Sequence, residues 1–377
     1  MNMERSGSPE LLNMIRERIA HRSERAISFG EYMELCLYHP VYGYYMKEKT
    51  KIGKEGDFYT SASIGTLLGE TLAAYVHRET ETHDLTDRFH LIEWGGGSGA
   101  LSLHVLNQLK LLCPELYDRL QFISVETSPH HRRLQASTLA DHADRVQWLT
   151  EDEWVRGGPW NDCLVYSNEL PDALPVHRIA YSENGWVEYF VGWDEASQSL
   201  LKRELPLTDP ALMEFVVKER MPRRKGQQFE VPLASIRWLK RVAEGLGERA
   251  GMVTIDYGDV REELYAPHRM QGTFLCYRRH QAQDTPMLYP GEQDMTSHVN
   301  FSALIDAGCE AGLRHYRLMT QKQFLVENGL LGRLQAHDAA DPFAPAARRN
   351  RAIRQLLLSD QMSELFKVLV QKKGEPL

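Results

Sequence analysis

Seven consecutive residues carry the densest chemical signal in the chain: Glu93-Trp94-Gly95-Gly96-Gly97-Ser98-Gly99. They follow an apolar run, FHLIEW, and precede a helical one, ALSLHVLNQLKLLC. Glycines there let the backbone turn sharply and let a ligand approach with no Cβ in the way. The first turn of the helix adds unpaired N–H groups, a polar docking surface. A glycine cluster alone is a weak signal, but an acid ending the next strand makes it a nucleotide site. Glu126 is that acid, 27 residues past Gly99 at the end of LQFISVE. A carboxylate so placed can accept hydrogen bonds from both hydroxyls of a ribose. The plainer reading is a glycine-rich turn with an acid placed on it by chance.

Two nucleotides compete for this turn. Gly95, Gly97 and Ala100 satisfy the dinucleotide fingerprint, which would make the chain an NAD-dependent oxidoreductase. Glu93 argues otherwise, because it stands two residues before the first glycine, where the strand points its end at the ligand. A carboxylate there repels a pyrophosphate and attracts the ammonium and sulfonium of S-adenosylmethionine. At about 4 Å and an effective dielectric near 20, such a pair is worth on the order of 4 kcal/mol before desolvation. The sign favours the sulfonium, and S-adenosylmethionine is the expected cofactor.

A second cluster, SNELPDALPV, follows the strand run DCLVYS. Ligands of open α/β sheets bind beyond the carboxyl ends of the strands, so this segment belongs beside the glycine turn. Methyl transfer is an in-line displacement, which leaves a protein to position the acceptor and handle its proton. Glu169 and Asp172 are the residues to clamp a cationic acceptor or take its proton, and Asn168 faces the cofactor. The plainer reading has Asn and Asp capping a helix. His298, in PGEQDMTSHVNF, is a further catalytic candidate, although a histidine near a helix start more often caps or packs. The basic loop Arg220, Arg223, Arg224 and Lys225 reads as solvated surface, with docking of an acidic partner the alternative.

The elements that must position these residues alternate short β-rich runs with helical ones, the pattern of a parallel sheet with crossover helices. The strand candidates are FHLIEW, LQFISVE, RVQWL, DCLVYS, GMVTIDY, GTFLCYRR and RHYRLM. Asn184-Gly185 between two alternating runs signals a hairpin. The expected architecture is an α/β, Rossmann-like class I methyltransferase sheet with an N-terminal cap, a long insertion after the fourth strand and a C-terminal helix. By residue, 1–84 form the cap, 85–176 and 249–330 the core, 177–248 an inserted substrate cap of hairpin and helices, and 331–377 a helical tail.

The 377 residues carry 44 Lys and Arg against 52 Asp and Glu, a formal charge of −8, which argues against broad nucleic-acid binding. The five cysteines are scattered, with no pair at metal-ligand or redox spacing, so no metal is expected and reduced thiols are the default. The opening residues lack the apolar run of a secretory leader, and no apolar stretch is long enough to span a bilayer. A cytoplasmic location is expected.

Taken together, ISFGEYMELCLYHPVYGYY, GDFYTS, the glycine loop, VETSP, SNELPDALPV, TIDYG, PGEQDMTSHVNFSALIDAG and SELFKVL run in order through most of the chain. In them the sequence resembles the MidA family of class I methyltransferases. The resemblance implies that Glu93, Gly95, Gly97, Gly99 and Glu126 hold the cofactor with Asn168 alongside, and that Thr60 approaches its methionine end. It also implies a protein substrate with an arginine side chain as acceptor, for which Glu169 and Asp172 are bidentate partners. The chain departs from the family at Ala62-Ser63, where Pro-Glu is usual, at Gly96 and Ser98, where Pro and Arg are usual, and at Asn300, where Asp is common. A SAM-binding assembly factor without strong catalysis is the competing reading, and the terminal segment leaves a homodimer open.

Overall fold

Apolar runs too short for helices become strands, and runs spaced three and four apart become the helices that cover them. The computed structural model describes residues 8–48, 62–81, 88–279, 281–336, 341, 343–358 and 364–374. It divides into two compact units, Thr60–Leu170 with Leu239–Tyr257 and Ile305–Leu377, and Met1–Tyr59 with Pro171–Trp238 and Gly258–Leu304.

The first unit is built on a sheet whose strands, in chain order, are β1 (Phe89–Trp94), β2 (Leu120–Val125), β3 (Val146–Leu149), β4 (Cys163–Asn168), β5 (Ala250–Asp259), β6 (His315–Thr320) and β7 (Phe366–Lys373). Their spatial order is β6-β7-β5-β4-β1-β2-β3. β1 pairs in parallel with β2 and β4, as do β2 with β3 and β4 with β5. The chain therefore steps outward from β1 through β2 and β3, then returns to the other flank of β1. That reversal falls at the carboxyl ends of β1 and β4, the place where such sheets bind ligands.

Leu91, Phe122, Tyr166, Val253 and Val368 from the strands share one buried cluster with Val105, Leu106 and Leu109 of the helix Ala100–Leu112. Burying each of these large side chains contributes about 1.5–3 kcal/mol before chain entropy is charged. Cys113 and Pro114 end that helix at Leu112, and the proline then opens a short helix, Pro114–Arg119, where its missing N–H costs nothing.

The C-terminal helix expected from the sequence holds only in part. A helix runs Pro345–Leu358, but FKVLVQKK is a strand. It inserts antiparallel between β5 and β6, pairing Tyr257 with Phe366 and Thr320 with Lys367. Val368, Leu369 and Val370 are all buried, as befits an interior strand covered on both faces. A run buried on both faces has no alternation, so periodicity cannot separate it from a buried helix.

The second unit draws on three stretches of chain, so the cap, the insertion and part of the core expected as separate pieces share it. A five-stranded sheet contains Ala26–Ser28, His177–Ser182, Gly185–Asp194, Ser199–Pro206 and Gln228–Val231. Leu11, Ile15 and Ile19, spaced four apart on the helix Pro9–Ala20, pack in a cluster with Phe29, Tyr32 and Val191. The hairpin forms one residue earlier than Asn-Gly implies: Ser182 pairs with Gly185, and the turn residues are Glu183 and Asn184. GTFLCYRR does not enter the large sheet; Leu275–Arg278 pairs with Gln281–Gln283 and Asp294–Thr296 in a small sheet of its own.

Candidate functional site

In the first unit the glycine turn follows β1 and opens the helix Ala100–Leu112. Its backbone is anchored twice: Gly95 N–H donates to Val125 O at 3.0 Å and Gly99 N–H to Gly96 O at 2.8 Å. Gly97 lies in the left-handed region at φ 53°, and a Cβ built there would have no atom of the described residues within 4 Å. Backbone conformation selects glycine at this point, and the bare face beyond it is where a ligand can touch the main chain. At Gly96 a Cβ would fall 2.3 Å from Glu93 Oε2. Glycine in place of the family's usual proline thus leaves the room that the Glu93 carboxylate occupies.

Glu93 is only 3% exposed. Its carboxylate lies under the turn, accepting a hydrogen bond from the Ser102 hydroxyl, which sits 3.0 Å from Tyr166 OH. Burial pushes its carboxyl up to about 7, Ser102 opposes the rise, and the charge of Glu126 adds to it. The sequence predicts an acid aimed at the ligand from a strand end; the fold sets it deeper, where a missing counter-charge costs more.

Glu126, just past β2, is buried and already well served. Its Oε1 accepts from Ser128 N–H at 2.8 Å, its Oε2 from Gln135 Nε2 at 3.3 Å, and His131 Nδ1 lies 3.7 Å away. Asn168 closes β4 and donates from Nδ2 to Glu169 Oε1 at 3.2 Å. Its Oδ1 is buried with no hydrogen-bond partner among the described residues. Glu169 is held at φ 51°, a left-handed conformation that costs a non-glycine residue on the order of 1 kcal/mol and concentrates at functional sites. Its N–H donates to Ile255 O at 2.9 Å, which fixes the bend. The protein packed around it raises its carboxyl above the ordinary range, although its surface still reaches water.

These residues fit S-adenosylmethionine. A bare main-chain turn, an amide oxygen with no partner and a buried acid with no paired cation among the described residues, and a second strand-end acid all lie at the carboxyl ends of β1, β2 and β4 in one unit. Asp172 belongs to the second unit, buried, and Ser297 N–H donates to its backbone oxygen at 3.1 Å. Burial raises the Tyr277 phenol, and the Asp172 charge adds to that. His298, in the same unit, donates its N–H to Thr273 Oγ1 at 3.1 Å and lines a small recess with Glu230, Tyr265 and Asn300. Asn300 accepts from Ala303 N–H at 3.0 Å and donates from Nδ2 to Glu219 Oε2 and Tyr265 OH, both at 3.0 Å. An amide can do both tasks there, whereas the family's usual aspartate would face buried Glu219. Thr60 lies outside the described residues, and of Ala62 and Ser63 only the backbone is described.

Sequence reasoning missed Ser102, Tyr166 and Gln135. Ser102 lies in the first turn of its helix among apolar neighbours, where nothing but an odd hydroxyl betrays it. Among the described residues no helix is long and apolar enough to cross a membrane, and no His, Cys, Asp and Glu group could hold a metal.

Comparison with known proteins fits this geometry. A family model described as S-adenosyl-L-methionine-dependent methyltransferase matches residues 70–319. The mitochondrial protein arginine methyltransferase NDUFAF7 of Danio rerio is 27% identical over 365 residues, covering 90% of this chain and 82% of that protein. Its Drosophila melanogaster homologue is 28% identical over 322 residues, 78% of this chain and 69% of that one. A Burkholderia thailandensis protein solved with S-adenosyl-homocysteine bound superposes with a TM-score of 0.82 at 29% identity, covering 98% of this chain and 93% of that chain. The curated relatives are mitochondrial proteins, which overturns the cytoplasmic location expected from the sequence.

Proposed function

The chain belongs to the MidA family of S-adenosylmethionine-dependent methyltransferases, and from that membership we propose a protein side chain, an arginine, as its methyl acceptor. The enzyme's cofactor is S-adenosylmethionine, and the oxidoreductase and non-catalytic readings fall away. When bound, the cofactor supplies a methyl group activated on a positively charged sulfur. Glu93 and the Asn168 oxygen would take its cationic methionine end, the backbone from Gly95 to Gly99 its middle, and Glu126 its ribose hydroxyls.

The observation that carries the acceptor proposal is Glu169, a strained carboxylate at the end of β4 braced by its neighbour Asn168. A carboxylate can orient a guanidinium through paired N–H donors and accept the proton that the nitrogen loses. The relatives' names as protein arginine methyltransferases support that acceptor. Within the second unit, Asp172 and His298 are proposed as further catalytic residues, their segments tied by the Ser297 to Asp172 hydrogen bond. The test is incubation with methyl-labelled cofactor and a cell lysate, followed by mass spectrometry. Methylarginine on a protein that Glu169→Ala fails to label supports the proposal. Label appearing only on lipids, nucleic acid or small molecules overturns it.

A further inference from the structure

The helix Pro129–Thr138 is polar along its length and buries one residue, the amide Gln135, which is 1% exposed. All four of its hydrogen-bonding positions are engaged. Oε1 accepts from Ser124 Oγ at 2.8 Å and from Trp148 Nε1 at 2.9 Å. Nε2 donates to Gly97 O at 3.1 Å and to Glu126 Oε2 at 3.3 Å. An indole N–H can only donate, so Trp148 fixes which end of the amide is oxygen. The nitrogen must then face two acceptors, one on the glycine turn and one on the strand-end acid. A Cβ at Gly99 would come 3.2 Å from Gln135 Cγ, so the turn also packs directly on this side chain.

We infer that Gln135 is a positioning residue: it locks Glu126 and the glycine turn into one geometry, so that recognition of the ribose depends on an amide that acts through Glu126. The inference rests on the reading of Glu126 as the ribose acid. A fully engaged amide has no rotational freedom left to lend, and a buried network of this kind sets geometry more strictly than a solvated carboxylate could. Removing the amide leaves Gly97 O and one Glu126 oxygen without that donor and frees the carboxylate to turn.

Isothermal titration with S-adenosylhomocysteine and its 2′-deoxy analogue separates the possibilities. The wild-type enzyme should favour the hydroxylated ligand by about tenfold or more, because a polar site rejects an analogue lacking the group it binds. In Gln135→Met, S-adenosylhomocysteine should weaken by about tenfold while the preference over the 2′-deoxy analogue falls below about threefold. A Gln135→Met protein that keeps the wild-type preference overturns the inference, even if overall affinity drops. Absence of any preference in the wild type removes the ribose reading of Glu126, and the inference with it. Should Gln135→Met fail to fold, Trp148→Phe deletes the donor that orients the amide while keeping ring bulk. A partial loss of preference in that variant supports the inference, and an unchanged preference overturns it.

Discussion

The ends of β1 and β2 each present a buried acid, and the two acids live in opposite conditions. Glu126 accepts from a backbone N–H and a side-chain amide, with a histidine nearby, and is ready for a neutral ligand without rearrangement. Glu93 is buried with a serine hydroxyl and, among the described residues, no paired cation, and its carboxyl is pushed up to about 7. A satisfied acid can bind hydroxyls at little electrostatic cost; an unsatisfied one gains most when a cation arrives. The difference assigns the ribose to one strand end and the ammonium and sulfonium to the other.

The largest expected effect breaks both ends at once. Gly97→Asp adds a charged side chain on the bare face of the turn, where no atom of the described residues lies within 4 Å of its Cβ. Aspartate tolerates left-handed backbone better than most residues, so the melting temperature should hold within a few degrees while titration finds S-adenosylhomocysteine binding abolished.

A difference between the acids should appear in their pH dependence. Neutral Glu93 has no attraction for a cation, so affinity for S-adenosylmethionine should climb by up to about tenfold per pH unit below about 7 and level off above it. Stability of the free protein should move the other way. Because the folded-state value is raised, the contribution is fully present below about 4.5 and lost as pH rises through about 7, worth about 3 kcal/mol. Glu93→Gln should flatten both profiles, measured by titration calorimetry and by denaturant unfolding.

Glu126→Ala should cost about 1.5–3 kcal/mol of S-adenosylhomocysteine affinity, the range for hydrogen bonds to a charged group, and should keep the pH dependence set by Glu93 while moving its midpoint downward, because the Glu126 charge adds to the rise. The smallest change is Ser102→Ala. Losing a hydroxyl that holds the Glu93 charge should move the midpoint of the affinity profile upward by up to about one pH unit; a downward shift would show that Ser102 does not stabilise the carboxylate.

Much of this was legible in the chain. Glycines and acids at strand ends are local features, and the order of strand runs determined where they would meet. Gln135 was not legible, because its meaning lies in four partners, from β2, its end, β3 and the glycine turn. FKVLVQKK looked helical because neighbours on both sides bury it, and only those neighbours reveal a strand. Glu93 was recognised as an acid at the right place, but its depth under Gly96 depends on packing. Asn300 read as a departure from the family, and its amide turns out to suit a site that also holds Glu219.

The pairing of a buried acid whose carboxyl is raised with a cationic ligand has a direct signature in protons. At pH 6 most Glu93 is neutral, so binding S-adenosylmethionine should expel close to one proton per site, measured by calorimetry in two buffers of different ionisation enthalpy. Glu93→Gln should expel none from this position. Wild-type protein that binds the cofactor with no proton release, or with the same release as Glu93→Gln, would contradict the assignment.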